Sequence, residues 1–317
     1  VKQPIGPNRP PRAWHTAAMC AGSTAGRLAV AALLAGLHGS TALSLGRGWA
    51  AGAGEGLDND LDNATLENQT LELLNSFQVC SAKCREPEHF QRMGEIRDGG
   101  YQVCMQLDKK PAAAFSLGVG NHDKWAYHVS QAFQTPVYQF DCNRVDRKVI
   151  CKDCTLYRYC IVSENDLKRF RNVYTFNEML KHTNQSQAAP GSLLMKMDIE
   201  GSEWSMLAEL KGKSLRKFGQ IIVEFHELAD VKRHPVYLAA MRRLRDAGFK
   251  LAHIHGNNQD GMYTVGQYRI PMVVEATFVL EPGPATACLS HVKDFPGENT
   301  NQIFNRALPP SELPTSV

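Results

Sequence analysis

The chain is 317 residues long, 43% hydrophobic and 21% charged, with a formal net charge of +3. That length holds one large domain with a leader, or two small domains, and the composition is that of an ordinary globular protein. No basic run with interleaved aromatics, of the kind single-strand binders use, is present, so no nucleic-acid partner is expected.

The first 54 residues contain no Asp or Glu and are rich in Ala and Gly. Within them, "RLAVAALLAGL" (Arg27–Leu37) is shorter than the ~20 apolar residues a spanning helix needs. It fits the apolar region of a secretory signal peptide, with Met19 as a natural start and cleavage after Ala42. An organelle transit peptide is the competing reading, and a weak membrane anchor the third. The expected organisation is a leader at 1–42, a polar, largely disordered linker at 43–78, a domain at 79–290 and a tail at 291–317. On the signal-peptide reading the protein enters the secretory pathway, lumenal or secreted, without a stable membrane span.

Nine cysteines are present, and Cys20 falls in the leader. The remaining eight (Cys80, Cys84, Cys104, Cys142, Cys151, Cys154, Cys160 and Cys288) are an even set, which suits disulfides in an oxidising compartment. Zinc at Cys142, Cys151, Cys154 and Cys160 is the alternative, although structural zinc sites usually carry two Cys-x-x-Cys pairs. Asn63, Asn68 and Asn184 each head an N-x-Ser/Thr acceptor pattern.

The linker holds one amphipathic piece, "LENQTLELLNSF", that reads as a single helix. From about Val79 onward, strand-like and helix-like runs alternate, and no internal repeat is visible. Strands are expected at 112–117, 136–141, 156–162, 192–198 and 220–226. Helices are expected at 123–133, 202–210 and 234–249, the last with Pro235 at its start and Gly248 at its stop. "FKLAHIH" and "EATFVLEP" close the series as an antiparallel pair at one edge. This alternation predicts an α/β fold, a doubly wound and mostly parallel sheet with helices on both faces.

Ligands of such sheets bind at the carboxyl ends of the strands. There the chain places Gly118-Val119-Gly120-Asn121, then Asp141, then Asp198-Ile199-Glu200-Gly201, then Glu224-Phe225-His226-Glu227. Glycines let the backbone approach a ligand, and a carboxylate about twenty residues later suits ribose hydroxyls. Each also has a plain reading, as a tight turn, a loop carboxylate or a helix cap. It is the convergence of four polar strand ends on one edge that points to a site.

At "FSLGVGNHDKWAYHV", "VYQFDCN", "LLMKMDIEGSEWSML" and "IIVEFHEL" the chain resembles the S-adenosylmethionine-dependent methyltransferases of the FkbM type. The closest likeness is to the eukaryotic methyltransferase-like protein 24 group, and it extends over about residues 79–281. "RMGEIRDGGYQVC" and "HIHGNN…IPMVVEATFVL" belong to the same likeness. The resemblance implies a class I methyltransferase fold (Rossmann-like) whose last strand is antiparallel. It implies S-adenosylmethionine contacts at Gly118, Gly120, Asn121 and Asp141, with Asp198 at the floor of the site. It also implies O-methylation of a sugar or other small hydroxyl acceptor. No metal ligand is assigned among the site residues. Two departures stand out. Asn121-His122 occupies the place where a third glycine often stands, and residues 142–160 have no counterpart, which leaves the third strand unassigned.

A sulfonium cofactor favours nearby carboxylates, and a hydroxyl nucleophile needs a base. Asp198, His226 and His255 are the candidate bases, with Glu200 and Glu203 as candidate orienting groups. Glu203 also reads as a residue favouring the start of the next helix, Trp204 as a core residue, and Asp98–Tyr101 as a turn or a wall of the site. Two other functions remain open: a lumenal binding module that has lost turnover, and a nicotinamide-dependent enzyme. The Asp-x-Glu-Gly-x-Glu block speaks against the second.

Overall fold

The computed structural model describes residues 63–95, 99–119, 123–142, 149, 151–257, 262–265, 268–284 and 288. The expected leader and C-terminal tail, together with Gly120, Asn121 and Asp98, lie outside the described residues. Helix α1 (Asn63–Ser76) is followed by a hairpin of β1 (Phe90–Gly94) and β2 (Gly100–Cys104). Then come β3 (Ala113–Leu117), α2 (Lys124–Phe133), β4 (Val137–Phe140) and β5 (Cys154–Tyr157). Strand β6 (Cys160–Val162) pairs in parallel with β7 (Val173–Thr175), which leads into α3 (Phe176–His182). Strand β8 (Leu193–Met197), α4 (Glu203–Glu209), α5 (Gly212–Leu215), β9 (Phe218–Phe225) and α6 (His234–Asp246) follow. Last are β10 (Phe249–Gly256), a small hairpin of β11 (Met262–Val265) and β12 (Tyr268–Pro271), and β13 (Val274–Leu280).

Seven strands form one sheet in the order β10-β13-β9-β8-β3-β4-β5. The β3–β4, β4–β5, β3–β8 and β8–β9 pairs are parallel, as the alternating pattern predicts. Strand β13 runs antiparallel to both neighbours, inserted between β9 and β10 at one end of the sheet. The parallel strands are apolar on both sides because both faces are covered. On one face Leu193, Met195 and Met197 of β8 join Phe115, Phe225 and Trp204. On the other, Leu194 joins Ala114, Ile222, Trp125 and Val129. Trp204 stacks between Phe225 and Tyr237, with ring centroids 3.9 and 4.2 Å away. Burial of each such aromatic stabilises by about 1.5–3 kcal/mol.

Local chemistry fixes the helix ends. Asp123 caps α2 by accepting from Ala126 N–H at 2.9 Å, and it also accepts from Gln139 Nε2 at 2.7 Å. Thr175 and Glu178 form a reciprocal capping box on α3.

Three expectations change. The polar stretch before Val79 is not all linker: Leu73, Leu74 and Phe77, at the end of α1 and just past it, are buried in the main core. The apolar stripe at helical spacing outweighs the polar composition, so the folded body begins upstream of Val79. The run at 156–162 is not one strand. It breaks at Arg158-Tyr159, and β6 leaves the large sheet for β7. The segment 90–104, to which no strand was assigned, forms the β1–β2 hairpin.

The eight cysteines stand as four pairs at disulfide distance: Cys80–Cys288, Cys84–Cys104, Cys142–Cys160 and Cys151–Cys154. The four at 142–160 thus form two separate pairs rather than one zinc-like set. No described helix is long and apolar enough to cross a membrane.

Glycine is required where β3 meets β8. Gly118 has φ +74°, and a Cβ there would lie 1.6 Å from the Asp198 carbonyl oxygen. Gly118→Ala is therefore expected to destabilise by more than ~1 kcal/mol, read as a lowered urea midpoint; an unchanged midpoint would contradict this packing. A second anchor is Glu281, past β13. It accepts from Ser81 Oγ at 2.9 Å and from Ala82 N–H at 3.1 Å, and it pairs with Lys250 at 3.4 Å. Burial alone would raise its pKa, but the bonds from Ser81, Ala82 and Lys83 and the Lys250 charge hold it below the ordinary value. With the folded pKa depressed, its contribution is present at neutral pH and is lost as pH falls through the carboxylate range. Glu281→Gln is expected to cost about 1–2 kcal/mol at neutral pH. The gap to wild type should begin to close near about pH 4 and keep closing at lower pH as the folded carboxylate protonates, measured by urea melts across that range.

Candidate functional site

The polar strand ends meet at one edge of the sheet. After β3, Gly118 N–H donates to the Phe140 carbonyl at 3.0 Å, and Val119 N–H donates to Asp141 Oδ2 at 2.8 Å. Asp141 is buried at the end of β4 and ties that strand to the glycine turn. Asp198 follows β8, and its N–H donates to the Leu117 carbonyl at 3.0 Å. Gly118, Asp141 and Asp198 are therefore neighbours, as expected.

Beyond Asp198 the chain turns sharply. Glu200 and Gly201 both take left-handed backbone, with φ +57° and +98°. Such a turn leaves amide groups without helix or sheet partners, and Glu203 supplies them. Its carboxylate accepts from Ile199 N–H at 2.8 Å and from Gly201 N–H at 2.9 Å. Glu203 has 0% exposure and also meets His226 Nδ1 at 3.1 Å. It organises the turn from within and does not face a ligand. The neighbouring Trp204 donates to the His226 carbonyl at 2.8 Å, so α4 fixes both backbone and ring of His226.

The opposite ring nitrogen faces a ring of acids. His226 Nε2 stands 3.9 Å from Asp198 Oδ1, 3.9 Å from Glu200 Oε2 and 3.8 Å from Glu224 Oε1. Burial works against a charged imidazole, but the bond to Glu203 and the charges of Glu203, Glu224 and Asp198 overcome it and raise the pKa to about 10. At neutral pH His226 is thus charged, a second positive group in the cluster beside Lys196. Burial would raise the Asp198 pKa, yet the Lys196 ammonium and His226 hold it below its ordinary value. Glu224 is pushed up to about 7 by burial and by the Asp198 charge.

Sequence reasoning brought Asp198, Glu200 and His226 together correctly but did not single out their partners. Tyr101, on the β1–β2 hairpin, donates to Glu224 Oε2 at 2.6 Å and lies 3.0 Å from Asp198 Oδ2. Lys196 Nζ donates to the Gly118 carbonyl at 2.6 Å and to Asp198 Oδ2 at 3.0 Å. Asn257, past β10, donates to Glu224 Oε1 at 3.0 Å. The available signal was charge inside strands: Lys196 and Glu224 interrupt apolar runs buried on both faces, where an ionised side chain needs a partner. His255, the third candidate base, is instead engaged with Glu275 at 3.3 Å and His253 at 3.3 Å.

The hairpin is held over this edge by polar groups of the sheet. The Gln220 amide exchanges two bonds with the Cys104 backbone, at 2.8 and 3.0 Å, and Thr277 Oγ1 donates to the Gln102 carbonyl at 2.7 Å. Of the stretch read as a turn or a wall, residues 99–101 are described, and Tyr101 reaches Asp198 and Glu224.

Residues 116–251 match the model of the methyltransferase FkbM domain. Among curated proteins none matches the chain. Similar solved structures include a fibrillarin pre-rRNA processing protein of Methanococcus jannaschii, at 13% identity and TM-score 0.31, covering 55% of this chain and 69% of that one. A precorrin-6y C5,15-methyltransferase from Geobacter metallireducens has 13% identity and TM-score 0.29, covering 55% and 82%. M. jannaschii TYW2 in complex with AdoMet has 10% identity and TM-score 0.27, covering 61% and 87%. The matched stretch, residues 116–251, holds Gly118, Asp141, Asp198 and His226.

Proposed function

We propose that the protein is an S-adenosylmethionine-dependent methyltransferase that methylates a hydroxyl of a sugar or other small acceptor. Within its family we place it in the methyltransferase-like protein 24 group. The carrying observation is the convergence of Asp198, Glu200 and Glu224 on His226, beside the Gly118 turn and Asp141. The residues fit the cofactor: Asp141 lies at the strand end next to the Gly118 turn, and the edge is rich in carboxylates. In this reading Gly118, Gly120, Asn121, Asp141 and Asp198 hold S-adenosylmethionine, which when bound supplies an electrophilic methyl group on a sulfonium.

The protein's own part is positioning and proton removal. His226, fixed by Glu203 at one nitrogen, orients the acceptor hydroxyl with Glu200. The carboxylates beside it receive the proton: Asp198, or Glu224, which burial makes the stronger base. Tyr101 closes the site from the hairpin side. The four cysteine pairs, with Asn68 and Asn184 exposed, support a lumenal or secreted glycoprotein.

One observation favours a second reading, a binding module without turnover. Asp198, Glu203 and Glu224 already bond to Lys196, Tyr101, Asn257 and the turn amides, so the cluster is satisfied by the fold itself. Titration calorimetry tests the first reading. Wild type should bind S-adenosylmethionine, and Asp141→Ala should weaken that binding at least ~10-fold with the fold intact by circular dichroism. Folded wild type that does not bind the cofactor overturns the proposal. Binding without methyl transfer to any glycan or small hydroxyl compound, screened with labelled cofactor, selects the second reading.

A further inference from the structure

We infer that Asp198, Glu224 and His226 form a divalent-metal site. Binding of the ion stands on its own geometry, whereas its use on an acceptor hydroxyl rests on the methyl-transfer reading above.

The three side chains each offer a ligand atom, and these atoms lie within 4.8 Å of one another. They are the one such group of His, Cys, Asp and Glu among the described residues. His226 Nε2 is 3.9 Å from Asp198 Oδ1 and 3.8 Å from Glu224 Oε1. Those separations exceed hydrogen-bond length. Two ligand atoms each ~2.1 Å from a common ion stand up to ~4.2 Å apart, so both His226 separations are within reach of one ion, and the set as a whole, within 4.8 Å, needs a small side-chain rotation to close on it. Glu200 Oε2, at 3.9 Å from Nε2, is a further oxygen at the same place.

The outer contacts are those a metal site needs. A ligating imidazole is oriented by a carboxylate on its other nitrogen. Glu203, with 0% exposure, stands 3.1 Å from His226 Nδ1 and is itself locked by two backbone amides. The bonds from Tyr101 and Lys196 fall on Asp198 Oδ2, which directs the other oxygen, Oδ1, to His226. Glu224 is oriented by Tyr101 and Asn257. Every ligand is thus held by a second residue, unlike a loose patch of surface acids.

Two carboxylate oxygens and an imidazole, without thiolate, suit Mn²⁺ or Zn²⁺ among divalent ions. An ion there would replace the Nε2 proton of His226, which is released to solvent on binding; it would bind the acceptor oxygen and lower its proton affinity, leaving a nearby carboxylate to take the proton.

The full chain, stripped with chelator and then dialysed, is titrated with Mn²⁺, and free Mn²⁺ is followed by electron paramagnetic resonance. Mn²⁺ has little preference for thiolates, so the cysteines do not compete. One Mn²⁺ per chain is expected, with Glu224→Gln and His226→Gln each weakening binding at least ~10-fold. Glu224→Gln keeps the side-chain shape and carries the test should His226→Gln not fold, as judged by its melting profile. Folded wild type that leaves Mn²⁺ free overturns the site, and so does undiminished binding in folded Glu224→Gln. S-adenosylmethionine binding is measured in parallel. Cofactor binding without Mn²⁺ binding removes the metal site alone, and Mn²⁺ binding without cofactor binding removes only the methyl-transfer reading.

Discussion

The contact between Glu203 and His226 is the constraint around which the site is organised. Both groups are taken largely out of water, and buried charges are tolerated only when paired and hydrogen-bonded. Breaking such a pair by removing one partner costs about 3–5 kcal/mol, because the other is left uncompensated. Glu203 does more than neutralise. Through Ile199 and Gly201 it holds a left-handed turn that no helix or strand would satisfy. The position of Asp198 before that turn, and of Trp204 after it, follows from the same carboxylate.

A second layer comes from outside the parallel sheet. The β1–β2 hairpin is short and would not be stable alone. It is held by Gln220 and Thr277, polar residues in otherwise apolar strands, and by the Cys84–Cys104 pair. Docked there, it delivers Tyr101 to two carboxylates that would otherwise repel each other. A hydroxyl between Asp198 and Glu224 lets both stay close, which is the geometry a bound cation or a hydroxyl acceptor requires.

Much of the frame was legible because its periodicities are plain. The runs at 112–117 and 220–226 are continuous and apolar, and α2 and α6 show helical spacing with clear end signals. Two kinds of feature were not legible. Segments whose structure depends on distant partners gave no local signal: β1–β2 needs Gln220 and Thr277, and α1 needs the core that buries Leu73 and Phe77. Residues that act through others were also hidden. Asp198, Glu224 and His226 were visible at strand ends, but Lys196 sits inside a strand, and its part, like that of Glu224, depends on which neighbour faces it. Glu203 was read as a helix-start residue, and that reading was incomplete. It does sit at the start of α4, but its bonds go to the turn and to His226.

The place of β13 has a consequence for how the molecule is made. Its residues, Val274–Leu280, are synthesised after every other strand of the large sheet, yet they lie between β9 and β10. Until they leave the ribosome, β9 carries an unpaired edge beside Glu224, and Gln102 lacks its Thr277 partner. The hairpin wall therefore cannot be fully seated before translation has passed residue 280. The site is completed by the chain's late-emerging segment, and only then can Cys80 meet Cys288 to close the loop behind it.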